Sequence, residues 1–201
     1  MVQSHRSFSR THRQGQRRQH SRRLRVEALE DRRLLAVVTV DTELDVVDFD
    51  DGLTSLREAI SLANTMPGAD GIVFDFGHDG PATILLEQGE LRITEALSIS
   101  GDGPDLLTID AQEQSRIFNI TAGTGDFTIA GMTITGGKTT GDNDPGDNTF
   151  SGGAIRSLTT ASLTIQNSAV SGSSTTGSRA EGGGVFAEGD VRVTSSTISG
   201  N

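Results

Sequence analysis

Any chemistry in this chain has to come from carboxylates and a few cations. It has no Cys, which removes thiolate nucleophiles, thiolate metal sites and disulfides. Of its four His, His5, His12 and His20 lie near the start and only His78 lies further on. His78 sits in Phe76-Gly-His-Asp-Gly80, a turn composition, and no G-x-S-x-G nucleophile elbow accompanies it. A solvated loop His is expected, and no catalytic or cofactor-binding residue is assigned. Asp142, Asp144 and Asp147 fall at i, i+2 and i+5 in a Pro/Gly loop, where hard oxygens could hold Ca²⁺. The EF-hand order is absent, because Gly153 stands where its closing Glu would be, so a solvated loop is expected with Ca²⁺ as the one cofactor left open. Asp45, Asp48, Asp50 and Asp51 form a second acidic stretch. It precedes a helix whose N-terminal dipole it would favour. Beyond the helix the cations are Arg92, Arg116, Lys138, Arg156, Arg179 and Arg192, each with no second cation beside it in sequence.

The elements that must position these groups are mostly short and β-like. The exception is the helix expected over 55–64. Ser55 and Glu58 satisfy the S-x-x-E capping box, and Leu56, Ala59, Ile60 and Ala63 make one apolar stripe at i, i+3, i+4 and i+7, with Arg57 on the exposed side. Met66-Pro67-Gly68 stops it. Val37–Val40, Ile72–Phe74, Thr83–Leu86, Leu91–Ile93, Leu97–Ile99, Leu107–Ile109 and Ile117–Ile120 read as strands of three to five residues.

A weak repeat then sets the architecture. Phe127-Thr-Ile-Ala-Gly-Met-Thr-Ile-Thr-Gly-Gly137 matches the segments beginning at Leu163 and Val191, and Gly152-Gly-Ala-Ile155 matches Gly183-Gly-Val-Phe186. Periods near 30 residues mark stacked supersecondary units. Short strands with no crossover helix must bend at the breaks and stack in parallel on the next pass, which predicts an all-β parallel β-helix with an N-terminal cap helix. Ser and Thr number 26 and Gly 16 in residues 121–201, and such small side chains suit ladders between equivalent positions on successive passes.

Charge divides the chain at residue 36. Ten basic residues against Glu27, Glu30 and Asp31 leave residues 1–36 at +7, while seven cations against 24 acids leave residues 37–201 at −17. The front segment lacks a hydrophobic period and reads as largely disordered. A nucleic-acid role for it is disfavoured, since it has no interleaved aromatics and the attached body repels polyanions. The longest apolar run is Leu34–Val38, far short of the ~20 residues that cross a bilayer, so no membrane span is expected.

Three resemblances add to this reading. Residues 54–74 (TSLREAISLANTMPGADGIVF) resemble the CSLREA motif that opens many bacterial surface β-helix proteins, with Thr54 in the place of Cys. The GGAI and GGGVF…STISGN units resemble polymorphic outer-membrane protein repeats, a family of right-handed parallel β-helices of the pectin-lyase-like fold. Leu29-Glu30-Asp31-Arg32-Arg33-Leu34-Leu35-Ala36 resembles the LEPR-type N-terminal sorting motif of large extracellular bacterial proteins. The resemblances imply an extracellular or cell-surface location and export machinery as a partner of residues 1–36. They also imply a right-handed β-helix over 37–201, with Ser55, Leu56, Glu58, Ala59 and Ile60 forming its cap. The chain stops in mid-repeat at Asn201, so the front of a longer protein or a truncated gene product is expected. The function expected is a structural or adhesive module meeting surface polysaccharide or other surface proteins, without catalysis. The alternative is a polysaccharide lyase or glycoside hydrolase, and the two divide on whether carboxylates and a cation meet on one face.

Overall fold

Apolar residues at every second position, interrupted every few residues by Gly or a small polar residue, make strands that can be held only by their neighbours. The computed structural model describes residues 36–201 apart from Pro67, Ala69, Ala122 and 145–147, and it is all-β except for one short helix among the described residues. Strand β1 (Val37–Val40) precedes helix α1 (Leu56–Ala63). Strands β2 (Asp70–Phe74), β3 (Ala82–Leu85), β4 (Leu91–Ile93), β5 (Leu97–Ser100), β6 (Leu107–Asp110) and β7 (Phe118–Ile120) follow. Next come β8 (Phe127–Ala130), β9 (Thr133–Thr135), β10 (Lys138–Thr140), β11 (Ile155–Ser157) and β12 (Leu163–Gln166). The last are β13 (Ala169–Ser171), β14 (Ser174–Thr176), β15 (Val185–Ala187), β16 (Val191–Thr194) and β17 (Thr197–Ser199).

These strands form three main sheets, ordered β1-β2-β5-β8-β12-β16, β3-β6-β9-β13-β17 and β4-β7-β11-β15, with β10-β14 as a short fourth. Every pairing is parallel. From β2 onward the chain visits the three main sheets in a fixed order and returns to each one strand further along. Among the described residues no helix is long and apolar enough to cross a membrane.

Register puts like residues on like. Val38, Ile72, Ile99, Ile129, Ile165 and Val193 form one column of the first sheet, and Ile84, Ile109, Ile134, Val170 and Ile198 one column of the second. Between the ends these columns are fully buried and form the core with Leu91, Phe118 and Ile155 of the third sheet. At β16 and β17 the same columns are exposed, as Val193 and Ile198 show.

The repeat beginning at Phe127, Leu163 and Val191 is the observed register. The glycine-rich repeat is not aligned as the sequence suggests, because Ile155 pairs with Val185 and not with Phe186. Backbone conformation fixes this offset. Gly152 and Gly182 are the equivalent left-handed residues, with φ of 72° and 67°, and a Cβ on either would strike a carbonyl oxygen three residues on. Three consecutive glycines at 182–184 hide that position from a sequence match.

The corners are tied by small hydroxyls. Met132 N–H donates to Ser168 Oγ and Ser168 N–H to Ser196 Oγ, so each side chain caps a backbone donor one pass away. The same occurs at the next corner, where Gly137 N–H donates to Ser173 Oγ. Ser168 and Ser173 are buried, which gives the Ser/Thr-rich composition a structural use inside the turns.

Helix α1 packs on the first strands. Ser55 Oγ accepts from Glu58 N–H and Glu58 Oε2 accepts from Ser55 N–H, the complete reciprocal capping box. Leu56, Ala59, Ile60 and Ala63 are buried, and the helix packs against β1, β2 and β4. Arg57 does not lie free on the exposed side. Its guanidinium grips Asp45 at 2.7 and 2.9 Å and donates to the Gly89 and Glu90 carbonyls. Asp45 also accepts from Glu87 and Gln88 N–H, so this acid is an internal clamp between the acidic link, α1 and the loop before β4, and not a partner of the helix dipole.

Candidate functional site

The third sheet presents its outward column as Arg92, Asn119, Arg156 and Phe186 on adjacent parallel strands. Neighbouring strands are about 4.8 Å apart, so Arg92, Asn119 and Arg156 form a ladder of polar groups one rung apart. Thr149 and Phe150, in the connection between β10 and β11, stand beside it as a wall. Asn143 pins that wall from within: its side chain donates to Ser151 Oγ and the Arg179 carbonyl and accepts from Phe150 N–H. Thr139 Oγ1 donates to the Phe150 carbonyl and fastens the wall to β10.

Between ladder and wall lies a cleft of about 420 Å³ lined by Glu90, Arg116, Asn119, Lys138, Phe150 and Arg156, among others. Three of the six cations beyond the helix thus meet in one place, although none are adjacent in sequence. Arg116 is the buried floor. It donates to Glu90 Oε2 at 2.6 Å and to the carbonyls of Gly152, Thr149 and Ser151, which uses four of its five N–H donors. Burial pulls Arg116 below the ordinary guanidinium value; Glu90 opposes this and the neighbouring Arg156 charge adds to it. Glu90 is equally committed, because its other oxygen accepts from Asn119 Nδ2.

Arg156 is the half-buried cation at the cleft surface. It donates to Asn119 Oδ1 at 3.3 Å and to the Asn148 carbonyl at 3.1 Å, and among the described residues it has no carboxylate partner. Lys138 stands at the rim, paired with exposed Glu113 at 2.9 Å. A carboxylate or sulfate entering the cleft would therefore meet an Arg with spare donors and a Lys held only by a solvent-screened pair. Phe150 adds one apolar face.

The groups singled out from sequence fall elsewhere. Asp142 accepts from Ser178 N–H one pass away, Asp144 is exposed, and Asp147 lies outside the described residues. Among the described residues no cluster of His and acids could hold a metal ion. His78 is a half-exposed loop residue 3.3 Å from Glu43, beside a cavity of about 300 Å³ lined by Phe74, Phe76 and Asp102. The motif residues Leu29, Glu30, Arg32, Arg33, Leu34 and Leu35 lie outside the described residues. The cleft cations were missed because their meeting depends on register. Asn119 and Arg156 are 37 residues apart, and only the strand pairing makes them neighbours. Compared with protein-family models, curated proteins and solved structures, the chain matches none.

Proposed function

We propose that residues 37–201 form a right-handed parallel β-helix and serve at the cell surface as a non-catalytic module that holds an acidic glycan in the Arg156–Lys138 cleft. The all-parallel pairing, the fixed order in which the sheets are revisited and the columns of like residues support the β-helix reading. The observation that carries the function is the meeting of Arg116, Lys138 and Arg156 in one cleft on a body whose net charge is otherwise strongly negative. A local positive field on a negative body selects an anionic group that fits the cleft and repels bulk polyanions. Residues 1–36, with the LEDRRLLA segment, act as the export and sorting element.

A lyase of the same fold is the second reading. One observation favours it: a carboxylate, Glu90, and the cations do share one face. Against it, Glu90 and Arg116 are bonded to each other and to fixed neighbours, which leaves neither free to take a substrate proton.

The experiment is fractionation of cells making the full chain or a chain lacking residues 1–36, followed by a screen of the surface fraction against neutral and acidic oligosaccharides. The full chain is expected at the surface, retained by acidic members alone, and the deletion is expected to stay inside. Release of unsaturated uronate products during the screen would establish the lyase. Retention by neutral and acidic sugars alike would remove the cleft from the account.

A further inference from the structure

The other end of the first sheet holds a carboxylate with too few partners. Asp70 opens β2 in the column continued by Leu97, Phe127, Leu163 and Val191, a position apolar on every later pass. It is 4% exposed. Its Oδ1 accepts from Ala36 N–H at 3.2 Å, while its buried Oδ2 has no hydrogen-bond partner among the described residues. Native structures rarely leave a buried carboxylate oxygen unpaired, because its desolvation is then uncompensated. A cavity of about 350 Å³ opens at this point, lined by Val37, Asp70, Ala96, Leu97 and Asp126, so a second carboxylate faces the same space. Ala36 is meanwhile held at its other side, since its carbonyl accepts from Gly71 N–H at 2.8 Å.

A peptide N–H offers one donor, and Asp70 has two oxygens to satisfy. A primary ammonium in the same position offers three. We infer that Asp70 is the receptor for a free α-ammonium group on Ala36, created when an endopeptidase hydrolyses the Leu35–Ala36 bond.

The reaction consumes one water. Its oxygen goes to the Leu35 carbonyl carbon, which leaves as a carboxylate, and Ala36 nitrogen leaves as an amine that is protonated at neutral pH. The freed ammonium donates to both Asp70 oxygens and replaces a neutral hydrogen bond by a charge-assisted pair. Removal of residues 1–35 also takes away every basic residue of the front segment. The site thus couples loss of that segment to locking of the first strand, independently of what the cleft binds.

The test keeps the full chain and replaces residues 30–35 by the recognition sequence of a site-specific endopeptidase that cuts directly before Ala36. Cutting is expected to raise the Tm by roughly 3 °C or more. The same cut should give no rise in an Asp70→Asn chain, nor in a chain with one Gly inserted before Ala36, which displaces the ammonium but leaves Asp70 intact. The Gly insertion decides the matter even if Asp70→Asn folds poorly. An unchanged or lower Tm after cutting, or an equal rise with the inserted Gly, overturns the assignment. Intact mass of the chain recovered from the cells that make it should correspond to a first residue Ala36, and a mature chain starting anywhere else overturns the processing step.

Discussion

Asp45→Ala should lower stability by about 3 kcal/mol or more, the range seen when one partner of a buried ion pair is removed and the other is stranded. Asp45 has a side chain only 1% exposed and binds the Arg57 guanidinium through both oxygens. Arg57→Ala should be nearly as damaging, because it leaves Asp45 buried with backbone donors alone. The double variant should cost clearly less than the two singles added together, since each single loss already breaks the shared pair. Urea titrations of the three variants give these numbers directly.

The same pair predicts an acid response. Burial alone would raise the Asp45 carboxyl, but the Arg57 guanidinium and the Gln88 and Glu87 N–H groups outweigh it and hold the group below its ordinary value. A depressed folded-state pKa adds stability that is fully present above the unfolded value, near 4, and is lost as pH falls through the folded one. Melting temperature should therefore drop below about pH 4, and the drop should be shallower in Asp45→Ala.

Ile60→Asp should cost several kcal/mol. Ile60 is 3% exposed in the stripe that α1 lays against β1, β2 and β4, so the change would bury a carboxylate in an apolar contact. The helix packs on β1, the edge strand of the first sheet, so this variant should also aggregate on warming. Leu62→Asp is the matched control: Leu62 is exposed on the same helix, and its replacement should fall within ~0.5 kcal/mol. Thermal melts with light scattering distinguish the two.

These residues show what a one-dimensional reading can and cannot reach. Helix α1 was legible because its signals are local: Ser55 and Glu58 lie three residues apart and the apolar stripe spans two turns. The strand columns were legible from Phe127, Leu163 and Val191, whose alternation survives changes of spacing between passes. The Asp45–Arg57 clamp was not, because a link of acids before a helix looks solvated whichever one turns inward. Nor was the cleft, since Arg116, Lys138 and Arg156 belong to different segments and only register joins them. Asp70 is hidden for a similar reason. It sits beside Gly71 like any polar strand start, and its buried state appears only when Leu97 and Phe127 are seen in the same column.

The most direct test of the cleft is a calorimetric titration of an oligouronate into the full chain, repeated with Arg156→Gln and with a neutral oligosaccharide of equal length. Loss of a charged hydrogen-bonding partner should weaken oligouronate binding roughly tenfold or more in Arg156→Gln, with little change in Tm, and added salt should weaken the unmodified chain. The neutral sugar should give no heat of binding. Equal affinity of the Arg156→Gln and unmodified chains for the oligouronate, or equal affinity for the neutral sugar, would contradict the account.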